Sequence, residues 1–409
     1  MSDTTLVRAR RLIDGTGSPV QLDAEVLVDD ERIRAVGPTG SLDVPADARV
    51  VDLGERTLMP GLADLHVHFA RTRSEEEIQR TLESPELRLI RSVVDAERLL
   101  RAGFTSARHV GGLDGFPLRD AIVEGEILGP RLQVAGLPVS QTGGHGDMHF
   151  LPREWVDHPR IRSGVIADGP DECRRAVRLN LREGADLIKV MASGGVVTRR
   201  DHPRHAQFSP AEMDAIVDEA GRWERRVAAH AGGAGIRQAV LAGVHTIEHG
   251  YFLSREDAEL MAEHGTVFVP TLLRLQRGVT RGPEVGVSPW INQKFAETWE
   301  ASLRGVAWAK EAGVAIALGT DLGLRPHTQH GDNWREIPLL VEAGLTPMEA
   351  IMAGTSVAAK TMGTDGEVGT VGVGLLADLI AVDGDPLERP EAVGDVAWVM
   401  KGGVEVVGL

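Results

Sequence analysis

The chain has one cysteine, Cys173, and one tyrosine, Tyr251, among its 409 residues. A single thiol excludes an internal disulfide framework and fits a reducing compartment. Long apolar runs are missing as well: none approaches the ~18 residues that a membrane-spanning helix needs. Met1 to Asp14 carries arginines but no apolar stretch of the kind a secretory leader has, so a cytoplasmic protein is expected. Positive charge is in short supply, 44 basic against 60 acidic residues, for a formal net charge of −16. Such a balance repels phosphate backbones, and neither nucleic acid nor membrane is an expected partner. What is left, 42% apolar and 25% charged residues, is an ordinary globular mixture able to bury a sizeable core. At about 150 residues per domain the length allows two to three domains, although a single α/β barrel can exceed about 250. Histidine is the surplus, with 14 residues.

Both ends of the chain read as short strands with turns between them. Ala24–Val28 and Arg32–Val36 flank the hairpin signal Asp29-Asp30-Glu31, and Arg49–Leu53 adds a strand. Near the other end, Asp378–Val382, Val396–Met400 and Val404–Val407 do the same. The middle alternates differently. Short apolar runs recur at Leu62–Val67, Thr105–Val110, Arg131–Val139, Leu187–Met191, Val227–His230, Thr246–His249, Val267–Pro270 and Val314–Leu318. Helix-like stretches separate most of them: Ile78–Arg101, Glu172–Glu183, Pro210–Trp223, Ile236–Ala242, Arg255–Glu263, Ile291–Ala312 and Pro347–Ala353. Ser209 before Pro210, with Glu212 behind it, has the spacing of a capping box. Eight strands alternating with helices predict an α/β fold, a (β/α)8 TIM barrel over residues 59–364. The ends, 1–58 and 365–409, would pair into a small β-sandwich. An open doubly wound sheet would want a Gly-x-Gly-x-x-Gly turn after an early strand, and none is there.

The histidines are not scattered. His66 and His68 close the first of these runs, and residues two apart on a strand point the same way. His230 closes the fifth run, His249 the sixth, and Asp321 follows the eighth in Leu-Gly-Thr-Asp321. Lys189 lies inside the apolar fourth run, Leu187-Ile-Lys-Val-Met191. These are the C-terminal strand ends where barrel enzymes place their chemistry. Imidazole together with carboxylate suits zinc and its neighbours. Taken alone, Lys189 reads better as a side chain that snorkels or pairs with an acid such as Asp186 than as a metal ligand. Beside four histidines and an aspartate, a lysine pushed toward the neutral amine by burial can add carbon dioxide, giving a carbamate that bridges two cations.

The set His66-x-His68, Lys189, His230, His249 and Asp321 resembles the binuclear metal-dependent amidohydrolase superfamily, and the likeness covers nearly the whole chain. The opening motif Met59-Pro-Gly-Leu-Ala-Asp-Leu-His-Val-His68 and the closing motif Gly374-Leu-Leu-Ala-Asp-Leu-Ile380 carry it. Lys189–Gly195, Gln207-Phe-Ser209 and Ala239–Gly250 are similar to the Xaa-Pro dipeptidase-like and N-acyl amino-acid hydrolase branch. The resemblance implies two divalent metal ions, zinc by preference. His66, His68 and Asp321 would hold the more buried ion and His230 and His249 the other, with carbamylated Lys189 bridging both. It implies hydrolysis of a linear amide, in a dipeptide or N-acyl amino acid, by a metal-bridging hydroxide with Asp321 as proton relay. A substrate carboxylate on the leaving-group side is expected, together with a homo-oligomeric assembly.

His145, in Thr142-Gly-Gly-His-Gly146, is the candidate donor to the developing oxyanion. Tyr251, Arg199 and His327 are candidate substrate contacts, and Arg200, His202, Arg204 and His205 crowd the same loop as Arg199. Branch relatives carry His or Tyr two residues past the strand-five ligand, where this chain has Gly232. That departure predicts a wider pocket, open to a bulky apolar group. Hydrolysis of a cyclic amide, urea, carbamate or ester is the alternative within the superfamily. An imidazolonepropionase-like enzyme would not need Lys189, and a structural relative would have lost ligands that are all present here.

Overall fold

The computed structural model describes residues 4–69, 72, 74, 76–156, 158 and 162–409. Contacts divide the chain into two units: Met1–Asp64 with Glu97–Ser106 and Gly331–Leu409, and Leu65–Ala96 with Ala107–His330.

In the first unit, strands from both chain ends share one sheet. Its order is Val404–Val407, Val396–Lys401, Leu379–Val382, Thr57–Pro60, Thr4–Leu12, Gln21–Asp29, Arg32–Pro38, and Arg49–Asp52 pairs with Thr4–Leu12. Side chains alternate across a strand. Val7 and Ala9, Ala24, Val26 and Val28, Leu379 and Ala381, and Trp398 and Met400 accordingly enter one shared core. The hairpin at Asp30-Glu31 forms as expected, with Asp30 taking the left-handed conformation at φ 52°. The strand Thr4–Leu12 was hidden by its arginines. Arg8 faces Glu25 across the ladder and its Nε donates to that carboxylate at 2.8 Å, so the alternating charges belong to a paired strand.

The second unit holds parallel strands in the order Val165–Ile166, Val139–Ser140, Leu187–Met191, Arg226–Gly232, Thr246–Tyr251, Val267–Val269. Helices Pro170–Arg182, Pro210–Gly221, Ala234–Leu241, Arg255–His264 and Pro289–Glu311 alternate with them. Another sheet joins Leu62–Val67, Phe104–His109 and Arg131–Val134. This is a TIM-barrel type of α/β fold. Ser209 and Glu212 form their capping box at the start of Pro210–Gly221.

Three expectations need correction. The helix over Ile78–Arg101 is two, Glu77–Leu82 and Pro85–Arg101, because a residue before proline avoids helical backbone. The strand over Arg131–Val139 breaks after Val134, around Gly136 in the left-handed region and Pro138. Residues 314–318 form no ladder of their own among the described residues. They still lie in strand-like register, since Phe268 N–H donates to Ala315 O, Ala317 N–H to Phe268 O and Leu65 N–H to Leu318 O, each at 2.9 Å.

Candidate active site

One cavity of about 970 Å³ in the second unit is lined by His66, His68, His145, Lys189, His230, His249, Tyr251, Arg274 and Asp321. Every metal-type residue singled out in the sequence reaches it. His66, His249 and Asp321 each place a donor atom within 4.8 Å of the others. Asp321 Oδ1 lies 3.2 Å from His68 Nε2 and 3.7 Å from His66 Nε2. The imidazoles continue outward, with ring centroids 4.7 Å apart for His66 and His249, 4.5 Å for His249 and His230, and 4.4 Å for His230 and His145.

Backbone geometry makes this crowding possible. His249 and Asp321 both sit in the left-handed region, at φ 67° and 55°, where non-glycine residues are uncommon. At His249 the effect is to break strand alternation, so the consecutive side chains of Glu248 and His249 both approach His66. Glu248 Oε2 accepts from His66 Nδ1 at 2.7 Å, and Arg108 Nη2 donates to Glu248 Oε1 at 2.6 Å. Arg108 Nε also donates to Leu65 O at 2.6 Å. A carboxylate can only accept, so the His66 proton is on Nδ1 and the lone pair is on Nε2, the tautomer that ligates a metal through Nε2. The same argument applies to His230, whose Nε2 faces Gly194 O at 3.1 Å and must carry the proton there, leaving Nδ1 as its lone pair. His249 Nδ1 meets Thr271 Oγ1 at 2.7 Å.

Electrostatics matches this geometry. Burial pushes His66 down to about 4, with Lys189 adding to the effect, and drives His230 and His249 well below the ordinary imidazole value. All three are neutral, the form that binds metal. Burial also brings Lys189 down to about 8. Its Nζ is buried and has no hydrogen-bond partner among the described residues, an expensive arrangement for an ammonium. Burial opposes ionisation of Glu248 and Asp321 too, but it is outweighed. Arg108 and the hydrogen bond from His66 hold Glu248 well below the usual carboxylate range, and the hydrogen bond from His68, with the charge of Arg274, does the same for Asp321. Neutral imidazoles, an ionised aspartate and an orphaned amine in one cavity fit a pair of divalent cations.

His145 stacks on His230, and its Nδ1 meets Thr198 Oγ1 and lies 3.4 Å from Asp201 Oδ2. Gly195 is required beneath it, because a Cβ there would collide with the imidazole. Tyr251 is buried and stacked on His249, and burial pushes its phenol further above its ordinary value. Arg199 and Arg200 line the cavity from an exposed loop. His327 does not line it; it is buried with Nε2 3.4 Å from Arg274 Nη1. His202, Arg204 and His205 are likewise absent from the lining, and Arg204 lies over the Phe252 ring instead.

Gly232 does not line the cavity, and the space beside it is filled. A Cβ on Gly232 would sit 2.6 Å from Pro203 O and 2.9 Å from Tyr251 Cβ, so the neighbouring loop fills the room that the missing side chain vacates. Sequence reasoning also missed Arg108, Glu248, Asp201 and Arg274. The only available signal was Glu248, an acid within an otherwise apolar strand end.

The family model for the amidohydrolase family matches residues 57–406. The ochratoxinase of Aspergillus niger is 37% identical over 428 residues, covering 98% of this chain and 86% of the relative. Its crystal structure superposes with a TM-score of 0.88 at 34% identity, covering 100% of this chain and 96% of that one. A Xaa-Pro dipeptidase with methionine bound in its active site gives a TM-score of 0.90 at 35% identity, over 99% of this chain and 100% of that one. A prolidase complexed with N-methylphosphonate-L-proline gives 0.91 at 33%, again over 99% and 100%.

Proposed function

This chain belongs to the amidohydrolase family, and we propose on that premise that it hydrolyses a linear amide bond in a dipeptide or N-acyl amino acid carrying a bulky apolar group. The observation that carries the reading is Lys189 Nζ, buried without a hydrogen-bond partner among the described residues in the cavity that gathers the imidazoles and Asp321. Carbamylated Lys189 would bridge two ions, with His66, His68 and Asp321 on one and His230 and His249 on the other. Bound there, two divalent ions, zinc by donor type, supply a water that ionises near neutral pH and polarise the scissile carbonyl.

The protein's own groups do the rest. Asp321, kept ionised by its neighbours, takes the proton of the attacking water and passes it to the leaving nitrogen, the transfer an amide most needs. His145 donates to the oxygen on which charge develops. Glu248 fixes the His66 ring and its tautomer. Val196, Val197, Leu137, Trp290 and Ile291 give the cavity wall an apolar stretch suited to the substrate's bulky group.

The finer architecture goes with this reading: a closed (β/α)8 barrel over 59–364, a β-sandwich from 1–58 and 365–409, and a cytoplasmic homo-oligomer. Among the described residues no helix is long and apolar enough to cross a membrane. The test is metal analysis together with a screen of dipeptides and N-acyl amino acids read by amino-acid release. Two metals per chain and release of the amino acid are expected; turnover confined to cyclic amides, ureas or carbamates would overturn the proposal. Lys189→Ala should strip most of the activity, and short-chain carboxylates added to the buffer should restore part of it.

A further inference from the structure

Cations around the cavity fall into two kinds. Arg199, Arg200 and Arg162 are exposed, whereas Arg274, on the helix Leu272–Arg281, is 5% exposed and still lines the cavity. A buried guanidinium is costly unless a carboxylate reaches it. Among the described residues none does within hydrogen-bond distance. Its Nε is 3.9 Å from Asp321 Oδ2, and Asp321 is already committed to His68 at 3.2 Å. Its Nη1 faces the imidazole of His327 at 3.4 Å, and its flat face lies over the Phe295 ring with the centroid 4.9 Å away.

Those contacts hold the guanidinium in place, and the ion pair among them, to Asp321, is too long for a hydrogen bond. Arg277 reinforces the arrangement from the next turn, its Nη1 donating to His327 O at 2.8 Å. The result is a planar fork next to the proton-carrying Asp321, whose Oδ2 reaches it only at 3.9 Å, beyond hydrogen-bond distance. A guanidinium fork matches a carboxylate in two parallel hydrogen bonds. We propose that Arg274 binds the free α-carboxylate of the amino-acid half of the substrate and so sets the preference for acids over their amides. The inference rests on the amide-hydrolase reading above. It places the substrate's anion on a buried residue of this helix, away from the exposed loop of Arg199 and Arg200. An acyl group at the ions and a carboxylate at Arg274 would put the leaving nitrogen between them, on the side of Asp321.

The probes are N-benzoyl-L-phenylalanine and its carboxamide, which share shape and differ in charge. In the metal-loaded wild type, kcat/KM for the acid should exceed that for the amide at least tenfold. Arg274→Met should bring the ratio close to one, chiefly through KM of the acid, and Arg274→Lys should recover part of it. Equilibrium binding of the same two compounds by calorimetry reads the contact independently of turnover: the acid should weaken at least tenfold in Arg274→Met and the amide far less. Equal losses for acid and amide would overturn the proposal, because Arg274 would then act only through Asp321. An unchanged acid-to-amide ratio would overturn it as well. If the wild type cleaves neither compound, the amide-hydrolase reading fails separately, and the calorimetric comparison still decides whether Arg274 holds the carboxylate.

Discussion

On the His66 side of the cavity, charges close on one another. Glu248 sits between His66 and Arg108 at 2.7 and 2.6 Å, with the Thr246 hydroxyl as a further donor. On the His145 side they do not. Asp201 is buried with no hydrogen bond to either carboxylate oxygen among the described residues, and it pairs only at longer range, with His145 Nδ1 at 3.4 Å and Lys294 Nζ at 3.9 Å. Lys294 instead donates to the carbonyls of Gly195, Thr198 and Asp201, strapping the loop that carries them. The first side belongs to strands, the second to a loop pinned by one ammonium. A satisfied network holds its ligand in a single orientation whether or not substrate is present. The cavity therefore pairs a wall whose buried carboxylate is satisfied, the rigid one, with a wall whose buried carboxylate is not, which we take as the adjustable one.

The sharpest way to probe this contrast is at the residue against which the rigid wall packs. Asp321→Asn keeps shape and one ligand oxygen but removes the proton carrier, so turnover should fall by roughly 10²–10⁴-fold while metal content stays near that of the wild type. Unchanged turnover at full metal content would make Asp321 a ligand only. Glu248→Gln attacks the rigid wall itself. It leaves Arg108 buried beside a neutral amide, and breaking such a pair costs about 3–5 kcal/mol, visible as a lower Tm. Metal affinity should weaken about 10- to 100-fold because His66 loses its orienting acceptor. His145→Ala attacks the adjustable wall and should lower kcat by about 10²-fold with Tm close to wild type. A drop in Tm matching that of Glu248→Gln would show that the two walls are equally structural.

The same contrast decides what could be read without coordinates. Leu187–Met191, Leu62–Val67 and Pro347–Ala353 have the bounds expected from periodicity, since apolar patterning and a proline start are local signals. The ligand-type residues were legible because they end separate strands, and one cavity does gather them. Glu248 and Arg108 were not, because their pairing spans 140 residues, and the left-handed backbone that brings His249 to the same cluster is announced by no local pattern. The helix Leu272–Arg281 escaped notice for a related reason. Arg274 and Arg277 lie on its buried side among Leu272, Leu273 and Leu275, so charge interrupts the apolar stripe that would have marked it.

Gly232 restricts how this enzyme can change. Its α-carbon is pressed between the Pro203 carbonyl and Tyr251, so no larger residue can enter by a single substitution. The Arg199–His205 loop would have to be rebuilt first, and that loop is anchored through Lys294 to Thr198 and Asp201. Placing a bulky side chain at this position is thus a two-step path whose first step loosens the loop beside His145. Selection acting on one residue at a time would meet a loss of activity before any gain in new specificity.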